Sequence, residues 1–343
     1  MKVYDLENHF YAKPVLEYLE GRSDYPRMTP EKNILYRQTA MLPASRPSLN
    51  NPAIQTIDEL EDLDDIRLGY MDQAGVSTAV VSSGGLIEEL GRGDAVRLAR
   101  ATNDAAAEAC RRHPGRIMGA ITLPVSYVEE SIAELERAVN ELGLKYWHTH
   151  SNFGDECLCN EKFEPLLAKC AQMDIPFYLH PNIPSNPYLL DSGVAMSMAA
   201  FGFTVDTMKT ALRLIIGGVF DRYPNLKMIM GHMGEIFPYC LDRMDNRFGV
   251  FKAAGVDPFL RSAHPLKYYF EHDNIFVTTS GIYDPKVVEF AVEEIGIDHV
   301  MFGTDYPFEK FSDAVDFVRN LPLSDEDKGK IFFGNAEKYI LKA

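Results

Sequence analysis

The chain has 343 residues, 46% apolar and 11% aromatic, which is material for a large core and excludes global disorder. Its 34 Lys and Arg stand against 50 Asp and Glu, a net charge of −16 that repels phosphate backbones and anionic lipid, so nucleic-acid and membrane-surface binding are excluded as bulk activities. No run reaches the roughly 18 apolar residues of a membrane span, no basic and apolar leader opens the sequence, and Cys110, Cys157, Cys159, Cys170 and Cys240 lack the spacing of a disulfide frame; a reducing, cytoplasmic setting is the expectation.

Short β-rich runs alternate with amphipathic stretches along the whole chain. Strands are predicted at Val3–His9, Ser77–Ser83, Ile117–Pro124, Leu144–His150, Pro176–Pro181, Lys227–His232, Ile275–Ser280 and His299–Asp305. Between them Asp58–Ala74, Asp94–His113, Ser126–Leu142, Glu161–Met173 and Asp284–Ile295 repeat apolar residues at three and four positions, as one buried helix face requires. Ser126, with Glu129 three residues on, has the spacing of a capping box. From Ser324 onward the pattern is that of one or two closing helices.

Eight strands alternating with helices call for parallel pairing. They close most economically into a single (β/α)8 TIM barrel, taking residues 1–343 as one domain. A doubly wound open sheet is the competing fold, but the Gly-rich phosphate turn it favours does not occur. Residues 10–57 and 182–205, after strands one and five, exceed what a bare barrel needs and are expected to be insertions that form lids, pockets or subunit contacts.

In a barrel of this kind chemistry sits at the carboxyl ends of the strands. Glu7 and His9 end the first, His180 the fifth, His232 the sixth and Asp305 the eighth. Glu7 and His9 are two apart and so share a strand face. Each alone has a bland reading: a lone histidine is more often a hydrogen-bonded core residue, and Asp305 before Tyr306-Pro307 suits a turn. Glu7, His9, His180 and Asp305 together form a mixed nitrogen and oxygen set suited to a divalent cation such as Mn²⁺ or Zn²⁺. His148 and His150, at the end of strand four, are a competing pair, with one expected to line the pocket and the other to be structural.

Glu7-Asn8-His9, Leu179-His180-Pro181, the Gly231–Glu235 segment and the Phe302–Glu309 segment resemble the decarboxylase branch of the amidohydrolase superfamily, in strand order and over nearly the whole chain. The resemblance implies one divalent ion, usually Mn²⁺ with Zn²⁺ the alternative, on Glu7, His9, His180 and Asp305. It assigns His232 and Glu235 to the catalytic groups beside the ion, and gives Arg243 a reach toward a neighbouring subunit's substrate site in a homodimer or homotetramer. Glu at the first ligand position, where hydrolases of the superfamily carry His-x-His, favours the decarboxylases, and Lys145 begins strand four, so a lysine-bridged pair of metals is not expected.

The implied reaction is non-oxidative loss of CO₂ from a small ortho-hydroxylated aromatic carboxylate. Protonating the ring carbon that bears the carboxylate avoids an aryl carbanion, with Asp305 as proton carrier and His232 polarising the site. Arg243 and, by position alone, Arg46 are the counter-charges for the carboxylate. Aromatic walls could come from Phe10, Tyr188, Phe201, Tyr306 or Phe308, with Tyr306 and Phe308 preferred for their adjacency to Asp305. Two other classes compete: a metal-dependent hydrolase of a lactone or amide, and a binding or scaffold barrel with a purely structural ion.

Overall fold

The computed structural model describes residues 1–28, 34–37, 46–49, 57–191 and 193–341, with only the backbone of 34–37, 46–49 and 194. Eight parallel strands organise it: β1 (Tyr4–Phe10), β2 (Thr78–Ser83), β3 (Ile117–Gly119), β4 (Trp147–His150), β5 (Phe177–His180), β6 (Met228–Met230), β7 (Ile275–Thr278) and β8 (Val300–Met301). Strands β1 to β3 pair in sequence, as do β4 to β8. The two seams are closed by single bridges. Ile121, just past β3, donates to Tyr146 O at 2.6 Å and accepts from His148 N at 3.1 Å. On the other side Leu6 N reaches Phe302 O at 3.1 Å, and His9 N reaches Tyr306 O at 2.7 Å. The ring thus runs β1 to β8 and back, a (β/α)8 barrel.

Each strand or its flank sends one residue to a common inner cluster: Leu6, Val80, Ala120, Tyr146, Tyr178, Ile229, Phe276 and Met301. Such a layer fills a barrel rather than leaving a pore. Ala336, Tyr339, Ile340 and Leu341 join it from the chain's last helical turns and close the amino-terminal end. The alternate strand residues, such as Ala79, Val81, Ile117 and Val277, pack outward with Leu98, Leu135, Leu166 and Val315 of the surrounding helices. Continuing the inward alternation past the inner layer leads to His148, His180, Gly231, Thr278, Gly303 and Asp305 at the carboxyl end. On β1 the register gains one residue between Asp5 and Asn8. This bulge brings Glu7 and His9 inward above Leu6, where strict alternation from Leu6 would have turned them outward.

Local differences from the sequence expectations have identifiable causes. The helix expected at Asp58–Ala74 is two, Ile57–Glu61 and Asp65–Ala74. Asp62 breaks it by accepting from the backbone N–H groups of Asp64 at 3.2 Å and Arg67 at 2.8 Å. Ser126 does not cap the helix Val128–Asn140; its hydroxyl donates instead to Glu88 O at 3.0 Å. Cys157 and Cys159, expected as thiols, are joined as a disulfide, whereas Cys110, Cys170 and Cys240 are free. The stretch 10–57 contains the helix Lys13–Glu20 and an antiparallel sheet of Arg27–Met28, Ile34–Arg37 and Arg46–Leu49. The stretch 182–205 contains short turns at Pro187–Leu190 and Val194–Ser197 and ends inside the helix Gly202–Ile216. Among the described residues no helix is long and apolar enough to cross a membrane.

Candidate metal centre

One ligand atom from each of Glu7, His9, His180 and Asp305 lies within 4.8 Å of the others, although the residues come from β1, β5 and the turn after β8. Oδ1 of Asp305 is 3.0 Å from Nε2 of His9 and 4.0 Å from Nε2 of His180. Nε2 of His180 is 3.3 Å from Oε1 of Glu7. The Nδ1–H of His180 donates to Pro181 O at 2.7 Å, which fixes the tautomer and turns Nε2 toward the carboxylates.

Glu7 is completely buried, and its two oxygens are treated differently. Oε2 accepts from the Tyr178 hydroxyl and lies 3.4 Å from Thr278 Oγ1, whereas Oε1 accepts no hydrogen bond from any of the described residues. A buried carboxylate oxygen left bare among two imidazoles and a second carboxylate is the feature a cation would satisfy.

The electrostatics agree. Burial alone would raise the pKa of Asp305, but the imidazoles of His180, His232 and His9 around it hold it well below the usual carboxylate range. Burial likewise opposes charge on His180, yet Asp305 and Glu7 raise it to about 9. His232 is also raised, against its burial, by Glu7 and Glu235. His9 moves the other way, lowered chiefly by desolvation. Two anions thus gather positive charge from imidazolium protons, the charge that a divalent ion would bring on displacing them. The donor set fits such an ion.

His232 faces the same centre, with Nε2 3.9 Å from Glu7 Oε1 and 3.8 Å from Asp305 Oδ2. Its Nδ1 is 3.1 Å from Glu235 Oε1, and Glu235 Oε2 accepts from Thr204 Oγ1 at 2.7 Å. Glu235 is not a first-turn helical residue, because the following helix begins only at Phe237. His232, Met233 and Glu235 all have positive φ, at 53°, 53° and 59°, and Asp305 has φ of 75°. Non-glycine residues in this region cost about 1–3 kcal/mol each and concentrate where function fixes the backbone.

The remaining sequence candidates fall in different places. Phe308 is partly exposed and sets its ring edge-on to His9, centroids 5.5 Å apart, as a pocket wall would. Tyr306 is buried, stacked on Phe311 at 4.4 Å with the Arg67 guanidinium 4.7 Å from its ring centre, so packing accounts for it. Phe10 is core, whereas Tyr188 and Phe201 are exposed. Arg243 is exposed on the helix Phe237–Ala254. Arg46 lies on a strand of the small antiparallel sheet, its side chain outside the described residues. His148 stacks on Tyr178 at 5.4 Å, and His150 pairs through Nδ1 with the buried Glu88 at 2.6 Å.

Sequence reasoning missed Tyr178, Thr278 and Arg67. Tyr178 stands two before His180, and the same-face spacing that linked Glu7 to His9 would have found it. Arg67 is wholly buried; it donates to His9 O at 2.8 Å, Asp62 O at 3.0 Å and Glu59 O at 3.2 Å, tying the end of β1 to the helix break. Nothing in the local sequence marks it.

A parallel eight-stranded barrel with two carboxylates and two imidazoles converging at its strand ends, and a third imidazole beside them, defines the class of barrels built for a single divalent cation. The chain belongs to the amidohydrolase family, whose family model matches residues 9–339. It is 35% identical over 294 residues to the gamma-resorcylate decarboxylase of Polaromonas sp. strain JS666, covering 81% of this chain and 87% of that protein. Among solved structures it is similar to a dihydroxybenzoic acid decarboxylase from Polaromonas sp. JS666 with bound manganese and the inhibitor 2-nitroresorcinol (TM-score 0.81, 30% identity, 98% and 96% of the two chains). It is also similar to a 5-carboxyvanillate decarboxylase from Novosphingobium aromaticivorans complexed with manganese and 4-hydroxy-3-methoxy-5-nitrobenzoic acid (TM-score 0.85, 27% identity, 98% and 95%).

Proposed function

We propose that this protein is a carboxy-lyase that removes CO₂ non-oxidatively from an ortho-hydroxylated aromatic carboxylate. One divalent ion, Mn²⁺ first and Zn²⁺ as the alternative, would be held by Glu7, His9, His180 and Asp305. The observation that carries the reading is Glu7 itself, a glutamate at the first ligand position with a bare oxygen turned toward His180. The decarboxylases among its relatives support it. When bound, the ion would neutralise the paired carboxylates and act as a Lewis acid toward the substrate's phenolic oxygen.

The chain's own residues supply the rest. Asp305 takes the phenol's proton as substrate binds and delivers it to the ring carbon that bears the carboxylate. A C–H bond forms there and aromaticity is lost. The C–C bond to the carboxylate then breaks, its electron pair returns to the ring, and CO₂ leaves. His232, with Nε2 facing Asp305 Oδ2 and Nδ1 anchored by Glu235, polarises the reacting centre and stabilises charge on Asp305. Phe308 provides a wall for the ring, while Tyr306, stacked on Phe311, supports the loop that carries Asp305.

The same proposal takes residues 1–343 as one domain in a homodimer or homotetramer. Arg243, with Arg46 as the second candidate, answers the substrate carboxylate. Exposed Tyr239, Val250 and Phe251 on the helix of Arg243 give that face apolar surface to bury. A cytoplasmic place in aromatic-compound breakdown completes the reading, with small aromatic acids as partners and neither nucleic acid nor membrane.

The test is a panel of ortho-hydroxybenzoates offered to Mn²⁺-loaded protein with CO₂ release measured. Release from at least one member, lost on chelation, is the expected outcome. No release from any phenolic acid, together with hydrolysis of a lactone panel, would replace this reading with the hydrolase.

A further inference from the structure

Four hydroxyl-bearing or carboxylate side chains form a continuous buried line beneath the candidate ion site. The Tyr178 hydroxyl donates to Glu7 Oε2 and lies 2.9 Å from Thr278 Oγ1. Thr278 Oγ1 lies 2.9 Å from Ser280 Oγ, which accepts from the backbone N–H of His232 at 3.0 Å. All four side chains from Glu7 to Ser280 are fully buried. The line joins β1, β5 and β7 to the left-handed turn after β6, so it connects a ligand to the backbone of the histidine opposite.

The space for it is built in. A Cβ on Gly231 would stand 2.8 Å from the Tyr178 hydroxyl and 3.3 Å from both Glu7 oxygens. One on Gly303 would stand 3.0 Å from Thr278 Cβ and 3.4 Å from Glu7 Cβ. Glycine at both positions lets β6 and the end of β8 close on the Glu7–Tyr178 contact. A tyrosine inside a barrel needs a partner for its hydroxyl, but nothing in packing requires that partner to be an ion ligand.

We propose that Tyr178 is a positioning residue for the metal centre. Its hydroxyl occupies Oε2 of Glu7, so that the carboxylate offers Oε1 alone, and Thr278 and Ser280 carry the same constraint to His232. Without that donor only the longer contact from Thr278 Oγ1, at 3.4 Å, holds Oε2, and the Glu7 carboxylate gains freedom to rotate and to engage an ion through either oxygen or both. Partners that orient a ligand from behind are worth about 10–100-fold in metal affinity.

The inference rests on Glu7, His9, His180 and Asp305 being the ion ligands, and its test reads ion binding rather than turnover. Tyr178→Phe keeps the ring and removes only the donor. Free Mn²⁺ is titrated against metal-free protein by electron paramagnetic resonance, and the visible spectrum of the Co²⁺-loaded form reports the ligand arrangement. The expected result is a rise in Kd for Mn²⁺ of about 10–100-fold, with an altered Co²⁺ spectrum and an unchanged circular dichroism spectrum of the metal-free protein. Folded Tyr178→Phe with wild-type Mn²⁺ affinity and Co²⁺ spectrum would overturn it. Should that variant not fold, Thr278→Val takes its place with the same two readouts, a rise of about tenfold expected and no change overturning the proposal. Wild-type protein that binds no divalent ion would instead overturn the ligand assignment beneath it.

Discussion

Nδ1 of His232 lies 3.1 Å from Oε1 of Glu235, within a four-residue turn in which every φ is positive. Glu235 is held from its other oxygen by Thr204, so the imidazole cannot swing away from Asp305 without breaking a hydrogen-bonded chain. Replacing His232 with Asn should lower kcat by about 10²–10⁴, the usual worth of a positioned acid or base. Glu235→Gln, which keeps the shape and loses the charge, should cost about 10–100-fold. Steady-state kinetics on the substrate found in the CO₂-release panel measure both, and a His232→Asn enzyme with undiminished kcat would remove His232 from the chemistry.

Two glycine-to-alanine substitutions should have opposite outcomes. Gly231→Ala places a methyl 2.8 Å from the Tyr178 hydroxyl, closer than real contacts allow. Its φ of −66° suits alanine, so the harm is steric alone and falls on the Glu7 hydrogen bond. Stability should fall by about 1–3 kcal/mol, and Mn²⁺ binding should weaken. Gly69→Ala sits inside the helix Asp65–Ala74 with nothing among the described residues within 4 Å, and should stabilise by about 0.5–1 kcal/mol. Urea unfolding of the two proteins side by side checks the contrast.

Strand order and the four ligand candidates were legible in the sequence because both depend on short-range periodicity. Glu7 and His9 share a face by spacing, and His180 and Asp305 end later strands of a fold whose chemistry lies at strand ends. The β1 bulge was not legible, since one extra residue leaves no local mark until pairing with β2 shows it. Ser126 illustrates the converse: its capping spacing is present, but Glu88 O, a residue distant in sequence, competes successfully for the hydroxyl. Tyr306 adjoins Asp305 in the chain, yet its ring is engaged by Phe311 and Arg67, contacts that adjacency cannot reveal. Long-range side-chain partners are what the sequence withheld.

Removing divalent ions should be reversible and visible in the fold's stability as well as in turnover. An ion that binds only the native arrangement of the four ligands stabilises it by about 2.7 kcal/mol at a hundredfold excess over Kd. Chelated protein should therefore melt a few degrees lower, since about 1–2 °C per kcal/mol is expected for a chain of this length, and regain both Tm and CO₂ release with added Mn²⁺. Differential scanning calorimetry with and without chelator makes the measurement. Identical melting curves in the presence of saturating Mn²⁺ would count against the site.

Arg67 provides the last test, because it acts on the ligands from behind the barrel wall. Desolvation lowers its pKa to about 10, which still leaves it charged at neutral pH, with its N–H groups spent on the carbonyls of His9, Asp62 and Glu59. Arg67→Met retains the stem and strands those acceptors in a buried place, at about 1–3 kcal/mol for each group left unsatisfied. A loss of about 3 kcal/mol or more in urea unfolding is expected, together with weaker Mn²⁺ binding as the end of β1 loosens around His9. Arg67→Lys keeps the charge but cannot serve three carbonyls from one planar fork, so it should fall between. If both variants unfold like the parent protein, the end of β1 is held by strand pairing alone, and Arg67 does no more than fill the space beside Tyr306.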